Sequence, residues 1–99
     1  MLVSISEEAL AEIEESRAWY RKRSHSAEAA FLHEVDRAIE VVADAPHRWP
    51  SYLRGTRRYV FTTFPYSLVY LIEDEIVNVI AVAHDKRRPG YWRKRLTRS

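Results

Sequence analysis

Apolar residues recur along this chain with two different periods, and the change of period divides it near Pro46. Before that point the spacing is helical. Leu10, Ile13, Arg17 and Tyr20 share one stripe, flanked by Ala9 and Trp19. Ser6 precedes the stripe as an N-cap, and Glu7 and Glu8 follow where the helix dipole favours acids. A helix is predicted from about Glu7 to Arg23, its basic end Arg21-Lys22-Arg23 suiting a C-terminus. Ser24-His25-Ser26 interrupts it. Phe31, Val35, Ala38, Ile39 and Val42 then mark a second amphipathic helix, which ends near Asp44 because Ala45 precedes Pro46. Leu2, Val3 and Ile5 predict a short strand ahead of both helices.

After Pro46 the pattern shortens. Pro46–Gly55 reads as a loop. Three runs rich in β-branched and aromatic residues follow: Tyr59–Phe64, Tyr66–Ile72 and Ile76–Ala83. Pro65 has no N–H to give and marks a break in the ladder. Glu73-Asp74-Glu75 reads as a tight hairpin connection. The expected architecture is α+β: an N-terminal strand and an αα-hairpin packed on one face of a small antiparallel sheet of about four strands. Residues 1–99 form a single domain. Ile13, Phe31, Val35, Ile39, Val42, Leu68, Tyr70, Ile80 and Val82 are the expected core.

Charge adds an asymmetry. Residues 1–45 carry 10 acidic and 5 basic side chains, a balance of −5, and residues 46–99 carry 11 basic and 4 acidic, a balance of +7. An acidic or polyanionic partner would suit the second half, although a solvated charged surface accounts for the same pattern. There are no cysteines, which excludes a disulfide framework. No apolar run reaches membrane-spanning length and the N-terminus lacks a signal-peptide pattern, so a soluble, cytoplasmic protein without membrane contact is expected.

Candidate chemistry is sparse. His25, His33, His47 and His84 have no metal-ligand spacing, and neither a metal nor any other cofactor is expected. Only Gly55 and Gly90 are present, too few for a phosphate loop. Trp49, between prolines and basic residues, is open to two readings: a contact residue for a partner, or a plug at the end of the core. The polar cluster after the last strand is more suggestive. His84 or Tyr91 could move a proton, and Arg87 and Arg88 could hold a phosphate, as metal-free RNA cleavage requires. The alternative is a strand-end histidine bonded locally, beside solvated arginines.

The order of these elements resembles the RelE/ParE superfamily of toxins from type II toxin–antitoxin systems. The pieces that carry the resemblance are Arg57-Arg58-Tyr59, Phe64-Pro65-Tyr66-Ser67-Leu68-Val69-Tyr70, and Ala81-Val82-Ala83-His84 running into Arg88-Pro89-Gly90-Tyr91-Trp92. The resemblance implies a small cytoplasmic growth inhibitor neutralised by a cognate antitoxin in a hetero-oligomer, and a site for target or antitoxin at Trp49, Arg57, Arg58, Tyr66, Arg88, Trp92 and Arg93. It also implies one of two targets. RelE-like members cleave messenger RNA in the ribosome with basic residues on the central strands, and here His84, Arg87, Arg88 and Tyr91 would be the catalytic set. ParE-like members bind DNA gyrase and lack such a set. Val60-Phe61-Thr62-Thr63 has no lysine or arginine, and Ser67 stands where RNA-cleaving relatives often carry arginine. Those two departures tilt the expectation toward gyrase. A toxin-like scaffold that serves only in a complex is the third reading.

Overall fold

The computed structural model describes residues 1–97; Arg98 and Ser99 of the expected domain lie outside the described residues. Its elements are β1 (Leu2–Ile5), α1 (Glu7–Arg21), α2 (His25–Asp44), β2 (Arg57–Val60), β3 (Tyr66–Glu73) and β4 (Ile76–His84), with short 3-10 turns at Leu53–Gly55 and Arg93–Thr97. Both helices start where their caps predict. Ser6 Oγ accepts the Ala9 N–H at 3.1 Å, and Ser24 Oγ accepts the Ala27 N–H at 3.0 Å. The two helices are clasped by Glu28, whose carboxylate takes Arg17 Nε at 2.8 Å and Arg21 Nε at 2.9 Å. The hydrogen bond from Arg17, then that from Arg21, holds the Glu28 carboxyl below the usual range.

The sheet order is β1-β4-β3-β2. β2, β3 and β4 form the expected antiparallel meander. The sheet as a whole is mixed, because β1 pairs with β4 in parallel, Leu2 to Ile5 against Ile76 to Val79. β3 occupies one edge of β4, and the N-terminal strand reaches the other only after a long crossover, which the helical hairpin and meander provide. β2 is also shifted. The run expected at Tyr59–Phe64 pairs over Arg57–Val60 and then bends away. In that bend Glu34 of α2 accepts the N–H groups of Thr63 and Phe64, each at 2.9 Å, in place of a strand partner.

The helices bury Ala9, Ile13, Phe31, Val35, Ala38 and Val42 against Leu68, Tyr70, Val77, Val79 and Val82. Ile39, expected inside, is half-buried at the margin, and Leu10 of the predicted stripe faces solvent. The helix turns slightly further than the stripe implied, so Ala9 and Ile13 take the inner face. The other face of the sheet is also covered. Val69, Ile80 and Ala81 pack there under Trp92, with Tyr52, Tyr91 and Leu96 around them. The chain beyond Gly90 therefore closes the second side of the sheet.

Candidate functional site at the end of the central strand

The site grows out of an irregularity in β4. Val69 faces Ala81 and Tyr70 faces Val79, so Ile80 is an extra residue, a β-bulge. β1 also stops at Val79, where the chain turns at Ser6 into α1. From Ile80 onward the edge of β4 has no strand beside it, and side chains take over. Arg95 Nη1 donates to the Ile80 carbonyl at 3.0 Å, and Glu12 Oε1 accepts the Val82 N–H at 3.0 Å.

Glu12 is the hub of this region. Its carboxylate accepts both Arg95 Nη groups at 3.1 Å, a two-pronged ion pair, and accepts the Tyr91 hydroxyl as well. Arg87 lies over the Tyr91 ring at 3.7 Å and 3.8 Å from Glu12 Oε2. Burial, and then the bond to Glu12, pushes the Tyr91 phenol well above its ordinary range. The hydroxyl is thus a proton donor committed to an internal acceptor.

His84 ends β4. Its Nδ1 accepts the Lys86 N–H at 3.0 Å, so the neutral ring carries its proton on Nε2. Its ring sits edge-on to Tyr66, 5.0 Å between centroids. The backbone of the following turn is pinned by Asp85 N–H to Pro65 O at 2.9 Å and Arg87 N–H to His84 O at 3.0 Å. Two clefts flank His84. The larger, about 380 Å³, lies between α1 and the end of β4 and is lined by Glu12, Trp19, Tyr20, Tyr66, Lys86 and Arg87 among others. The smaller, about 80 Å³, is lined by Tyr52, Arg58, Ser67, Arg88 and Trp92.

The expected catalytic set is therefore brought together, since His84, Arg87 and Tyr91 border both clefts and Arg88 borders the smaller. The expected contact residues are scattered. Trp92 is 1% exposed and Tyr66 is 6% exposed, so each ring is packed in the core and only an edge of it borders a cleft, Tyr66 the larger and Trp92 the smaller. Apolar packing on the two faces of the sheet claims them. Arg57 is turned to its own loop, donating to Trp49 O at 2.6 Å and His47 O at 3.1 Å. Trp49 is half-buried against Tyr59, 4.8 Å between centroids. Arg58, half-buried and stacked on Tyr52 at 4.2 Å, borders the smaller cleft, and the exposed Arg88 and Arg93 do face outward. Glu12 and Arg95 escaped the sequence reading. Glu12 is one of several acids on α1, and its one signal is a place beside the buried stripe, three residues from Ala9 and adjacent to Ile13. Among the described residues no three His, Asp or Glu side chains converge as a metal site, and no helix is long and apolar enough to cross a membrane.

Solved structures share this fold. A chain of the chromosomal ParDE toxin–antitoxin system from P. aeruginosa superposes with a TM-score of 0.64 at 16% identity, covering 85% of this chain and 95% of that one. A chain of the intact E. coli RelBE toxin–antitoxin complex gives 0.58 at 23% identity, covering 87% and 98%. The isolated E. coli RelE toxin gives 0.58 at 24% identity, covering 96% and 97%. Among curated proteins none matches the sequence significantly. The model of the family described as the ParE toxin of type II toxin–antitoxin systems, parDE, matches residues 3–89, which contain the helical hairpin and the meander in full. This chain belongs to that family of toxins.

Proposed function

We propose that this toxin arrests growth by binding its target, DNA gyrase, without breaking a bond itself, and that a cognate antitoxin holds it in check. The observation that carries the first half is the state of Tyr91. Its hydroxyl is bonded to Glu12, with its pKa raised, so it is a poor general base for a 2′-hydroxyl. Ser67, at the floor of the smaller cleft, brings no positive charge to a phosphate there, and Val60–Thr63 brings none either. What the chain does offer outward is fixed positive charge on Arg88 and Arg93, with Arg58 beside Arg88 at the smaller cleft, which suits docking to an acidic surface. The partner half draws support from the relatives, since the P. aeruginosa structure is of a ParDE toxin–antitoxin system and one E. coli structure is an intact toxin–antitoxin complex.

A RelE-like ribonuclease is the second reading. It is favoured by the convergence of His84, Arg58, Arg87 and Arg88 around the smaller cleft. Induction of the protein alone separates the two. Gyrase poisoning predicts DNA-damage signalling while translation continues; ribonuclease action predicts early translation arrest. Growth unaffected by induction would overturn both and leave the scaffold reading.

A further inference from the structure

The larger cleft has features that neither reading of the target uses. Tyr66 and Val82, both almost wholly buried, lie at its base, and the partly exposed Tyr20 and the exposed Trp19 border it on the α1 side. Trp19 is 50% exposed, although Arg23 stacks on its ring at 3.2 Å and Tyr20 meets it edge-on at 5.0 Å. The half-exposed indole and the adjoining edge of Tyr20 leave aromatic surface in water at the rim of a cleft. The opposite rim is cationic. Among the described residues Lys86 has no carboxylate within ion-pair distance, and the nearest to Arg87 is Glu12 at 3.8 Å, which Arg95 already holds at 3.1 Å. Glu15 stands on the α1 side of the cleft. A carboxylate entering would therefore be turned away from α1 and toward the β4 side.

We propose that this cleft receives one bulky apolar side chain, aromatic or leucine-sized, of an antitoxin segment, with a carboxylate one or two residues away on that segment meeting Lys86 and Arg87. This rests on the antitoxin reading above and specifies where and by what chemistry the partner anchors. The exposed Trp19 indole and the partly exposed Tyr20 ring supply hydrophobic burial, and the two cations with the Glu15 side set the direction in which the segment lies. At about 380 Å³ the cleft has room for a large side chain and part of its backbone.

The test uses the full chain and, as probe, the purified protein encoded by the adjacent gene, titrated by calorimetry. Trp19→Ala and Lys86→Glu should each weaken binding at least tenfold. Trp19→Phe should restore most of the first loss, and reversing one acid of the probe should restore the second. Lys86 is exposed, so Lys86→Glu keeps the test valid should Trp19→Ala fail to fold. If the probe binds wild type and both variants equally, the cleft is not the anchor, while the antitoxin reading stands. If the probe does not bind wild type, that reading fails and the cleft proposal with it. If wild type alone is a dimer that Trp19→Ala dissociates, the occupant is a second copy and the proposal is overturned.

Discussion

Replacing Glu12 by alanine should cost more stability than any other surface-facing change on α1. The side chain is 12% exposed and accepts the Val82 N–H, the Tyr91 hydroxyl and both prongs of Arg95. Truncation leaves the Arg95 guanidinium, 17% exposed, without its counter-charge. Hydrogen bonds to charged groups contribute about 1.5–3 kcal/mol each, but these share one acceptor and will not add. Removing one member of a buried ion pair costs about 3–5 kcal/mol, and a pair with some solvent contact belongs at the low end. The expected loss is about 3 kcal/mol, which for a domain of this size lowers the melting temperature by roughly 12–24 °C. Urea denaturation followed by circular dichroism measures it, with the exposed Glu15→Ala as a control expected within about 0.5 kcal/mol of wild type. The near-ultraviolet signal of Trp92 should weaken as well, because Glu12 ties the segment that holds this ring on the sheet. A Glu12→Ala protein within about 1 kcal/mol of wild type would refute the claim that one carboxylate fastens α1, β4 and the C-terminal turn together.

Two further outcomes follow from the same structure. Tyr20, pushed up to about 12, and Tyr70 and Tyr91, also raised, stay protonated in the folded chain above the ordinary tyrosine pKa. Their contribution is present below about pH 10 and is lost as pH rises toward the folded values, so stability should fall above about pH 10, and less steeply in Tyr91→Phe; a denaturation midpoint flat from pH 9 to 11 would contradict this. The β3–β4 hairpin turns on Asp74 at φ 54° and Glu75 at φ 59°, both left-handed. Glu75→Gly should therefore stabilise by about 0.5–1 kcal/mol in thermal denaturation, relieving strain where glycine is favoured, and a destabilised variant would show that the turn is unstrained.

Much of the fold is legible in local chemistry. Ser6 and Ser24 announce the helix starts, Pro46 the end of the second helix, and the acidic triplet the hairpin. What escapes is set by distant partners. The parallel pairing of β1 depends on which edge of β4 is vacant, which no local pattern states. The shift of β2 depends on Glu34, about thirty residues earlier, taking the N–H groups of Thr63 and Phe64. The second covered face shows in the structure as unbroken burial of Tyr66–Tyr70, as a strand sandwiched on both sides requires, and it rests on the distant segment beyond Gly90. Trp92 and Tyr66 are expected as contact residues, and the fold packs most of each ring into the core, because aromatics serve surfaces and cores alike. Within the candidate site, His84, Arg87, Arg88 and Tyr91 were legible as neighbours on one short segment. Glu12, which determines what Tyr91 can do, lies about eighty residues away in sequence and meets it only through the fold.

On the proposal above, the protein binds its target and breaks no bond. The most direct test sets purified wild type, His84→Ala and Tyr91→Phe side by side in two assays: gyrase supercoiling with trapped DNA breaks, and ribosome-dependent cleavage of a reporter messenger. Binding without cleavage predicts gyrase-trapped breaks with wild type, kept within a few-fold by both variants, and no cuts in the messenger. Ribosome-dependent cuts that fall by roughly 10²–10⁴-fold with His84→Ala, the range for losing a general acid or base, would contradict it.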